Sequence, residues 1–304
     1  MHDSLIADLL QTELGLQARA VSALAGGQVG RVFRVDTDAG ALVVKFVRSG
    51  RERSFSKEPP DDRVYGARWS NLLPAYELLK RSGVAAPTLR ASGNLIDEGL
   101  HYEVLDHLDG DADDFSSQWF SALGKSLGQL HAVTRPWQGW VAMGAPYAET
   151  WTAAFAASFQ SRLAQAKPII GDALHPAIED YVRQTTLALD EPEDFVFSHT
   201  DGFQGVFRRT DRNWRLMGVI DIEDHQFTDQ RFVLAGLELS HAWSGRVVPP
   251  AFWNAYGAYR PVDRSYPRFR KLFQLYYLLV WARVLKGQGA PFETCIAQLQ
   301  RVAG

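Results

Sequence analysis

The spacing of apolar residues divides the chain into a first part rich in short strands and a second part dominated by helices. Leu5 to Leu16 has the spacing of a short amphipathic helix, and Val32 to Val35 and Ala41 to Val47 are β-rich runs around a polar turn. A helix is predicted from about Pro74 to Gly83, because proline suits a first helical turn better than an interior. The strand His101 to Asp106 is expected to close this first part.

From Phe115 onward the apolar period becomes helical, and three short β-like runs interrupt it at Phe195 to Ser198, Val206 to Arg209 and Trp214 to Ile220. This pattern predicts an α+β chain with a β-rich domain over 1–106, a larger, mainly helical domain over 107–304, and a cleft between them where binding sites often lie. The helices predicted in the second domain are Trp119 to Ala132, Thr150 to Ala166, Pro176 to Leu189, Arg231 to Trp243, Pro250 to Tyr259, Arg264 to Leu285 and Pro291 to Val302.

Composition narrows the class of protein. With 304 residues, 46% of them hydrophobic, the chain can bury a sizeable core. A formal net charge of -3 offers no basic field for nucleic acid, and the most apolar stretch, Leu272 to Ala282, is too short to span a membrane. The single cysteine, Cys295, makes neither an internal disulfide nor a thiolate metal site, and the acidic start lacks the features of a secretory signal. We therefore expect a cytoplasmic protein without nucleic-acid or membrane partners.

Two aspartates stand where short apolar strands are predicted to end. Asp201 belongs to His199-Thr-Asp201, and Asp221 closes Gly218-Val-Ile-Asp221. Taken alone, each also fits a turn aspartate that accepts backbone N–H bonds. Together, two such carboxylates suit two tasks: one orients and deprotonates a hydroxyl, and the other holds a divalent metal.

A lysine and a glycine-rich turn supply further candidates. Lys45 is a single charge within an apolar predicted strand, where it must be paired or meet the charge of a ligand; the alternative is a lysine at a sheet edge whose ammonium reaches water. Gly26, Gly27 and Gly30 fit a phosphate-binding loop or, equally, a hairpin that needs glycine for its conformation. A glycine-rich turn, a strand lysine, His-x-Asp and a strand-end Asp follow in the order of a kinase-type phosphoryl-transfer site.

With these motifs the chain resembles the aminoglycoside phosphotransferase and choline kinase-like family over nearly its whole length. The resemblance implies a protein kinase-like bilobal fold with a small β-rich N-lobe and a larger, mainly α C-lobe. It also implies transfer of the γ-phosphoryl group of ATP to a hydroxyl group with the help of Mg²⁺. The segments that carry the resemblance are Gly26 to Val35, Val43 to Lys45, Gly83 to Leu89, Leu123 to His131, Phe197 to Asp201 and Val219 to Asp224.

The resemblance implies that the first part of the chain binds the nucleotide. Lys45 would contact the α- and β-phosphates of ATP, and Gly26, Gly27 and Gly30 would form the nucleotide loop. The segment from Glu103 to Leu105 would offer backbone groups to the adenine.

The resemblance places catalysis in the second part, with one departure. Asp201 would be the catalytic base, His199 would support the catalytic loop, and Asp221 would bind Mg²⁺. Family members usually carry Asn five residues after the base as a second metal ligand, whereas this chain has Val206, which cannot bind a metal. Gln204 could supply an amide oxygen instead if the loop is shortened or bent.

A second departure concerns the glutamate that pairs with the strand lysine in the family. Leu72 stands at the expected place, and Glu77 lies a turn or more away. Both an active small-molecule kinase and a degenerate kinase-like binding protein that has lost efficient transfer fit these departures. The acids of the preceding polar segment are no better placed than Glu77; they are Glu58, Asp61 and Asp62.

The charge around the proposed catalytic loop bears on the acceptor. From Glu191 to His241 the chain has ten acids and five Lys or Arg. If Glu223, Asp224, Asp229 or Glu238 line the cleft, their field favours a cationic, hydroxyl-bearing small molecule; a solvated acidic face is the alternative. The family resemblance implies an amino-sugar or amino-alcohol acceptor.

Overall fold

A computed structural model describes residues 2–24, 30–48, 72–141, 144, 150–199, 203–222 and 225–303. These residues form two compact units: the first holds the described residues up to Ala112 together with 205–222, and the second holds those of 113–204 and 225–303. The first unit is rich in strands and the second is mainly helical, so the predicted α+β class is confirmed. The division into domains at 106 and 107 stays a prediction, and residues 205–222 group with the first unit.

The sheet of the first unit is antiparallel and buries one face against a helix. Alternating side chains of its central strands, such as Val44, Phe46 and Val104, pack with Ile6 and Leu10 of α1. Each side chain buried in this way contributes about 1.5–3 kcal/mol relative to an exposed one. The elements are α1 (His2–Leu14), β1 (Ala18–Leu24), β2 (Gly30–Thr37), β3 (Gly40–Arg48), β4 (Leu89–Leu95) and β5 (Leu100–Asp106), with the strands in the order β1-β2-β3-β5-β4.

The two edge strands, β1 and β4, were not predicted from the sequence. β1 is mostly exposed along its length, and β4 contains serine, glycine and asparagine. An edge strand buries little side-chain surface, so its sequence lacks the apolar run that marks a central strand.

The helix predicted from about Pro74 is confirmed as α2 (Leu73–Ser82). It ends where Gly83 adopts a left-handed conformation with φ of 72° and donates its N–H to the carbonyl of Lys80. The hairpin of β9 (Gly205–Arg209) and β10 (Trp214–Val219) completes this unit, and its two strands agree with two predicted β-like runs.

The second unit combines a small sheet with a set of helices. Its four short strands are β6 (Thr134–Arg135), β7 (Gly139–Trp140), β8 (Phe195–His199) and β11 (His225–Thr228), in the order β6-β8-β11-β7. Its helices are α3 (Ser117–His131), α4 (Trp151–Thr186), α5 (Gln230–Trp243), α6 (Pro250–Gly257), α7 (Tyr266–Val284) and α8 (Ala290–Ala303). The break at Gly171 in α4, where φ is 74°, separates the two helices that the sequence predicted there.

Aromatic packing and a close helix contact hold the second unit together. A Cβ at Gly124 of α3 would lie 2.3 Å from the carbonyl oxygen of Phe252 in α6, so only glycine permits this approach of the two helices. Helices α4, α5 and α7 share a cluster of ring contacts among Phe155, Phe159, Phe232, Phe273 and Tyr276.

Within the described parts of the chain, no helix combines the length and the apolar composition that crossing a membrane requires.

A buried chain of hydrogen bonds joins three elements of this unit. The side chain of Gln230 donates to the hydroxyl of Tyr256 (2.7 Å) and to the carbonyl of Pro261 (2.8 Å). The Tyr256 hydroxyl lies 2.8 Å from Nδ1 of His131 and, having accepted from Gln230, donates its own proton to that nitrogen. His131 is fully buried, and burial, together with the charges of Arg260 and His225, lowers its pKa to about 3.

Two further groups are buried in the second unit. Asp229 caps α5 and binds the guanidinium of Arg231 through both carboxylate oxygens, at 2.6 to 3.1 Å, with both side chains 2% exposed. The thiol of Cys295 packs inside, 3.5 Å from the carbonyl oxygen of Leu278, and burial raises its pKa to about 12.

We predict that the protein loses stability as the pH falls below about 6.5, the ordinary pKa of a histidine in an unfolded chain. In that range the unfolded chain binds a proton at His131, whereas the folded chain does not until the pH approaches about 3. Each such histidine removes about 1.4 kcal/mol of unfolding free energy per pH unit within this window.

Urea unfolding of the wild type and of His131→Gln between pH 6.5 and 5 measures this contribution. Glutamine can still accept a hydrogen bond from Tyr256 but does not titrate, so the variant's unfolding free energy should depend less steeply on pH, by the slope of one proton. Equal slopes would contradict the assignment, whatever the absolute stability of the variant.

Candidate active site

Lys45 lies in the interior of the first unit's sheet. β3 pairs with β2 on one side and with β5 on the other, with Val32 and Glu103 opposite Lys45, so the lysine is not at a sheet edge. Its side chain is 13% exposed, and Nζ donates to Oδ1 of Asp221 at 2.9 Å. The charge that the sequence placed in an apolar strand is therefore paired with one of the two candidate carboxylates.

Asp221 occupies an uncommon backbone conformation two residues beyond β10. Its φ is 55°, in the left-handed region, which aspartate tolerates better than most residues because it has a short polar side chain. Such conformations occur at functional sites, where the surrounding structure holds them. The side chain is 43% exposed, so its carboxylate can reach a ligand as well as Lys45.

The position of Asp221 depends on how the β9–β10 hairpin is attached. The amide of Val219 donates to the carbonyl of Ala85 at 2.8 Å. A Cβ at Gly218 would lie 2.6 Å from the Leu108 side chain and 3.2 Å from the Cα of Ala86, so glycine permits this close approach. The hairpin is thus fastened to the chain segments that follow α2 and β5.

Val206, at the place of the family's second metal ligand, packs against the segment after β5. A Cβ at Gly110 would lie 2.4 Å from Cγ1 of Val206. Nearby, Asp111 donates its amide to Phe207 (2.8 Å), and its carboxylate accepts from the amide of Arg209 (2.7 Å). Asp111 therefore holds the hairpin against the segment that follows β5. The sequence did not reveal this role, because an aspartate after a turn carries no distinctive signal.

The predicted adenine contacts fall within a strand that is paired on both sides. Glu103 lies opposite Lys45 on one side and Ser92 on the other, and Leu105 lies opposite Val43 and Leu89. Their main-chain groups therefore face β3 or β4, which argues against a second use in binding adenine. The role of Glu103 and Leu105 stays a prediction that this pairing disfavours.

After Leu105, the main-chain amides of the next two residues still make hydrogen bonds to segments beside β5. The amide of Asp106 donates to Thr88 (3.0 Å) and that of His107 to Ala41 (3.1 Å). Leu108 follows directly, so the segment that begins there is better placed to offer backbone groups to a ligand. The Glu103 side chain itself is only 1% exposed.

His199 is the last residue of β8 and is buried, with 3% exposure. It pairs with His225 of β11, and the two rings lie 5.5 Å apart in an edge-to-face arrangement. Asp201 lies outside the described residues, as do Gly26 and Gly27, while Gly30 opens β2 opposite Val47. Gln204 is half-buried and immediately precedes β9.

The sequence left open whether an acid in or before α2 pairs with Lys45. Among the described residues of that region, no acid forms this pair. Leu72, at the expected place, is 3% exposed and immediately precedes α2. Glu77 lies 3.6 Å from Arg81 in an exposed pair on the same helix. Glu58, Asp61 and Asp62 fall outside the described residues.

Two of the four acids thought to line the cleft are engaged in structural contacts. Asp229 is buried against Arg231, and Glu238 accepts from the hydroxyl of Tyr266 at 2.6 Å and lies 3.6 Å from Arg270. Glu223 and Asp224 lie outside the described residues. The field that would attract a cationic acceptor therefore rests on fewer groups than the sequence count indicates.

The sequence profile of the phosphotransferase enzyme family matches residues 20–271. The chain belongs to this family. That membership confirms the family resemblance and makes the protein a small-molecule phosphotransferase. Among curated proteins, no sequence matches the chain significantly.

Solved structures confirm the protein kinase-like fold. A candidate fructosamine-3-kinase from Haemophilus somnus 129PT is 16% identical, with a TM-score of 0.66 over 98% of this chain and 95% of its own. The corresponding protein from Thermobifida fusca YX-ER1 is 18% identical, with a TM-score of 0.66 over 98% of each chain. Aminoglycoside phosphotransferase APH(4)-Ia is 14% identical, with a TM-score of 0.69 over 100% of this chain and 98% of its own. At these identities the likeness concerns the fold.

We predict that the Lys45–Asp221 pair contributes modestly to stability in the absence of nucleotide. Because the carboxylate is substantially exposed, solvent screens the attraction, and a coupling of about 0.5–1 kcal/mol that decreases with salt is expected. A double-mutant cycle with Lys45→Met and Asp221→Asn, followed by urea unfolding, measures it. Asparagine tolerates the left-handed backbone, so the cycle isolates the charge. Zero coupling at low salt would show that the pair does not form in solution.

Proposed function

We propose that the protein is an ATP- and Mg²⁺-dependent kinase that transfers the γ-phosphoryl group to a hydroxyl of a small molecule in the cytoplasm. The observation that carries the proposal is the 2.9 Å contact between Lys45 Nζ and Asp221 Oδ1. In a phosphotransferase, these two charges are suited to the phosphates and to the metal of the nucleotide. A lysine that is 13% exposed is paired in this contact with an aspartate 176 positions later in the chain.

Lys45 would bind the nucleotide phosphates by exchanging its contact with Asp221 for phosphate oxygens. Gly26, Gly27 and Gly30 would let the backbone approach those phosphates closely. Related structures support a nucleotide: thermostable mutants of APH(4)-Ia have been crystallised with ADP and with AMP-PNP, and an aminoglycoside 2'-phosphotransferase-IIIa mutant with GDP.

The groups near Asp221 fit a magnesium ion that is shared with the nucleotide. Mg²⁺ is usually held by one or two carboxylates together with substrate phosphates and water, and the half-exposed Asp221 carboxylate supplies one such ligand. Within the described residues no group of three or more His, Cys, Asp or Glu side chains is suited to a metal. Gln204, which immediately precedes β9, is proposed as a further ligand because its side-chain amide supplies an oxygen. When bound, Mg²⁺ would neutralise charge on the transferring phosphoryl group.

Asp201 would act as the catalytic base. Its carboxylate would accept the hydrogen bond, and then the proton, of the acceptor hydroxyl while the acceptor oxygen bonds to the γ-phosphorus and the bond to the β-phosphate oxygen breaks. His199, buried at the end of β8, would fix the start of the loop that carries Asp201.

We predict that Asp201→Asn lowers turnover by about 10² or more and changes nucleotide affinity by no more than a few-fold. Asparagine keeps the size of the side chain but cannot accept the proton. Initial rates of ADP formation and nucleotide titration by calorimetry measure the two effects. Asp211→Asn, at the exposed tip of the β9–β10 hairpin, is the matched control and should leave both unchanged. Undiminished turnover in the Asp201 variant would remove the base assignment.

We predict that Asp221→Asn removes most of the Mg²⁺ dependence of nucleotide binding, because the ion would lose its charged protein ligand. Calorimetric titration of ADP with and without Mg²⁺ measures this dependence in the wild type, in the variant and in the Asp211→Asn control. If the variant keeps the wild-type dependence, the metal ligand lies elsewhere in the chain.

A kinase-like binding protein without efficient transfer is the second candidate function. Val206 supports it, because this side chain packs against Gly110 and has no atom that can bind a metal. Leu72 supports it as well, since no glutamate stands there to hold Lys45. Tight nucleotide binding without ADP formation on any acceptor would favour this candidate.

We predict that cationic hydroxylated molecules are better acceptors than neutral or acidic ones, through the charge of Glu223 and Asp224. The panel pairs aminoglycosides, choline-like amines and glycated amines with neutral and acidic sugars, and ADP release is measured at low and high salt. Rates on amines should fall as salt rises, and the double variant Glu223→Gln/Asp224→Asn should raise their KM. Turnover confined to uncharged acceptors would contradict the charge argument and leave the kinase proposal standing.

A further inference from the structure

The side chain of Glu103 is a buried acid that the proposed phosphotransfer leaves unused. It is 1% exposed and stands at the middle of β5 in the sheet of the first unit. A carboxylate so far from water remains charged only where a positive group lies close to it. The residues around Glu103 therefore indicate which charge it serves.

The strand register places Glu103 beside Lys45. The two residues lie directly opposite each other on β5 and β3, and such residues point to the same face of a sheet with Cβ atoms about 4.5–5.5 Å apart. Their neighbours Val104 and Val44 point to the other face, into the core with α1. Glu103 thus shares the face on which the Lys45 ammonium meets Asp221.

Two other basic side chains of β4 and β5 are engaged elsewhere. The ring of His101 hydrogen-bonds to an asparagine side chain of β4. The guanidinium of Arg90 donates to the carboxylate at the end of β5 at 2.7 Å. Within the described strands of this sheet, Lys45 is therefore the cation best placed to balance the charge of Glu103.

The ammonium of Lys45 needs an acceptor besides Asp221 once a nucleotide binds. It carries three N–H donors, and its side chain is 13% exposed, so little water reaches it. Two donors are suited to phosphate oxygens, and the Asp221 carboxylate would turn to a bound Mg²⁺. Of the two residues opposite Lys45, Val32 has no polar side-chain atom, whereas Glu103 offers a carboxylate. Glu103 therefore fits the third donor.

We propose that Glu103 is a positioning residue for nucleotide binding, whose carboxylate holds the Lys45 ammonium at the phosphates when Asp221 turns to the metal. Lys45 passes from one carboxylate to the other, and Glu103 acts through Lys45 without touching the nucleotide. The inference rests on the proposed function, since it requires a nucleotide that binds together with Mg²⁺.

Calorimetric titration of ADP with and without Mg²⁺ tests this exchange. Glu103→Gln keeps the shape of the side chain and removes its charge, so it should weaken the binding of ADP with Mg²⁺ about tenfold. Without Mg²⁺, Asp221 still holds Lys45, and the variant should change ADP affinity by no more than about twofold. In the Lys45→Met background, Glu103→Gln should have no further effect. Glu98→Gln, the same substitution at an exposed acid in the turn between β4 and β5, is the matched control and should change none of these affinities.

A second measurement needs no nucleotide. In the Asp221→Asn background, Glu103 is the carboxylate proposed to hold Lys45, so the two side chains should be coupled. A double-mutant cycle with Glu103→Gln and Lys45→Met, followed by urea unfolding, should give a coupling of about fivefold or more in the unfolding equilibrium constant. With Asp221 intact the coupling should be smaller, because Asp221 competes for the ammonium. A contact that only fills space would not depend on the residue at position 221.

The outcomes separate this inference from the proposed function. Weaker binding of ADP with Mg²⁺ in Glu103→Gln, absent in the Lys45→Met background, supports the inference. Unchanged or tighter binding overturns it, because a carboxylate that does not hold the lysine only repels the phosphates. An equal loss without Mg²⁺ overturns the exchange with Asp221.

The unfolding cycle decides the remaining cases. Zero coupling in the Asp221→Asn background overturns the inference and leaves the proposed kinase function standing. If the coupling is present but the wild type binds no nucleotide, the proposed function fails, and the positioning role of Glu103 fails with it.

Discussion

A lysine in the interior of an apolar sheet needs a counter-charge, and the β9–β10 hairpin of the first unit is placed so that it supplies one. Lys45 lies on a strand that is paired on both sides, so its ammonium cannot turn out to water past a free edge. The carboxylate that satisfies it arrives from a hairpin far along the chain. Glycine at positions 110 and 218 allows that hairpin to come close, and Asp111 fastens it. The same contact that stabilises the lysine therefore also positions the candidate metal ligand.

Much of this arrangement is predictable from the sequence because local patterns determine it. The apolar strand around Lys45, the helix that ends at Gly83 and the strand that ends at His199 each carry their own signal. The edge strands β1 and β4 do not, since pairing rather than burial makes them strands. The direct contact of Lys45 with Asp221 was not predicted either, because it depends on the path of the chain between them.

A count of acids overstates the negative field around the candidate catalytic loop. A carboxylate contributes to the field of a cleft only if its charge is not already matched. Asp229 caps a helix and binds the guanidinium two residues away, and Glu238 holds a tyrosine hydroxyl. Neither use is visible in a count of acids.

The sole cysteine has a practical consequence for spectroscopy. Thiol-reactive dyes and spin labels attack the thiolate, and Cys295 is both buried and held in its protonated form far above neutral pH. A cysteine introduced at an exposed site, such as the tip of the β9–β10 hairpin, would therefore take up a label almost alone. The native sequence thus serves directly as the background for single-site probes, without first replacing a residue of its core.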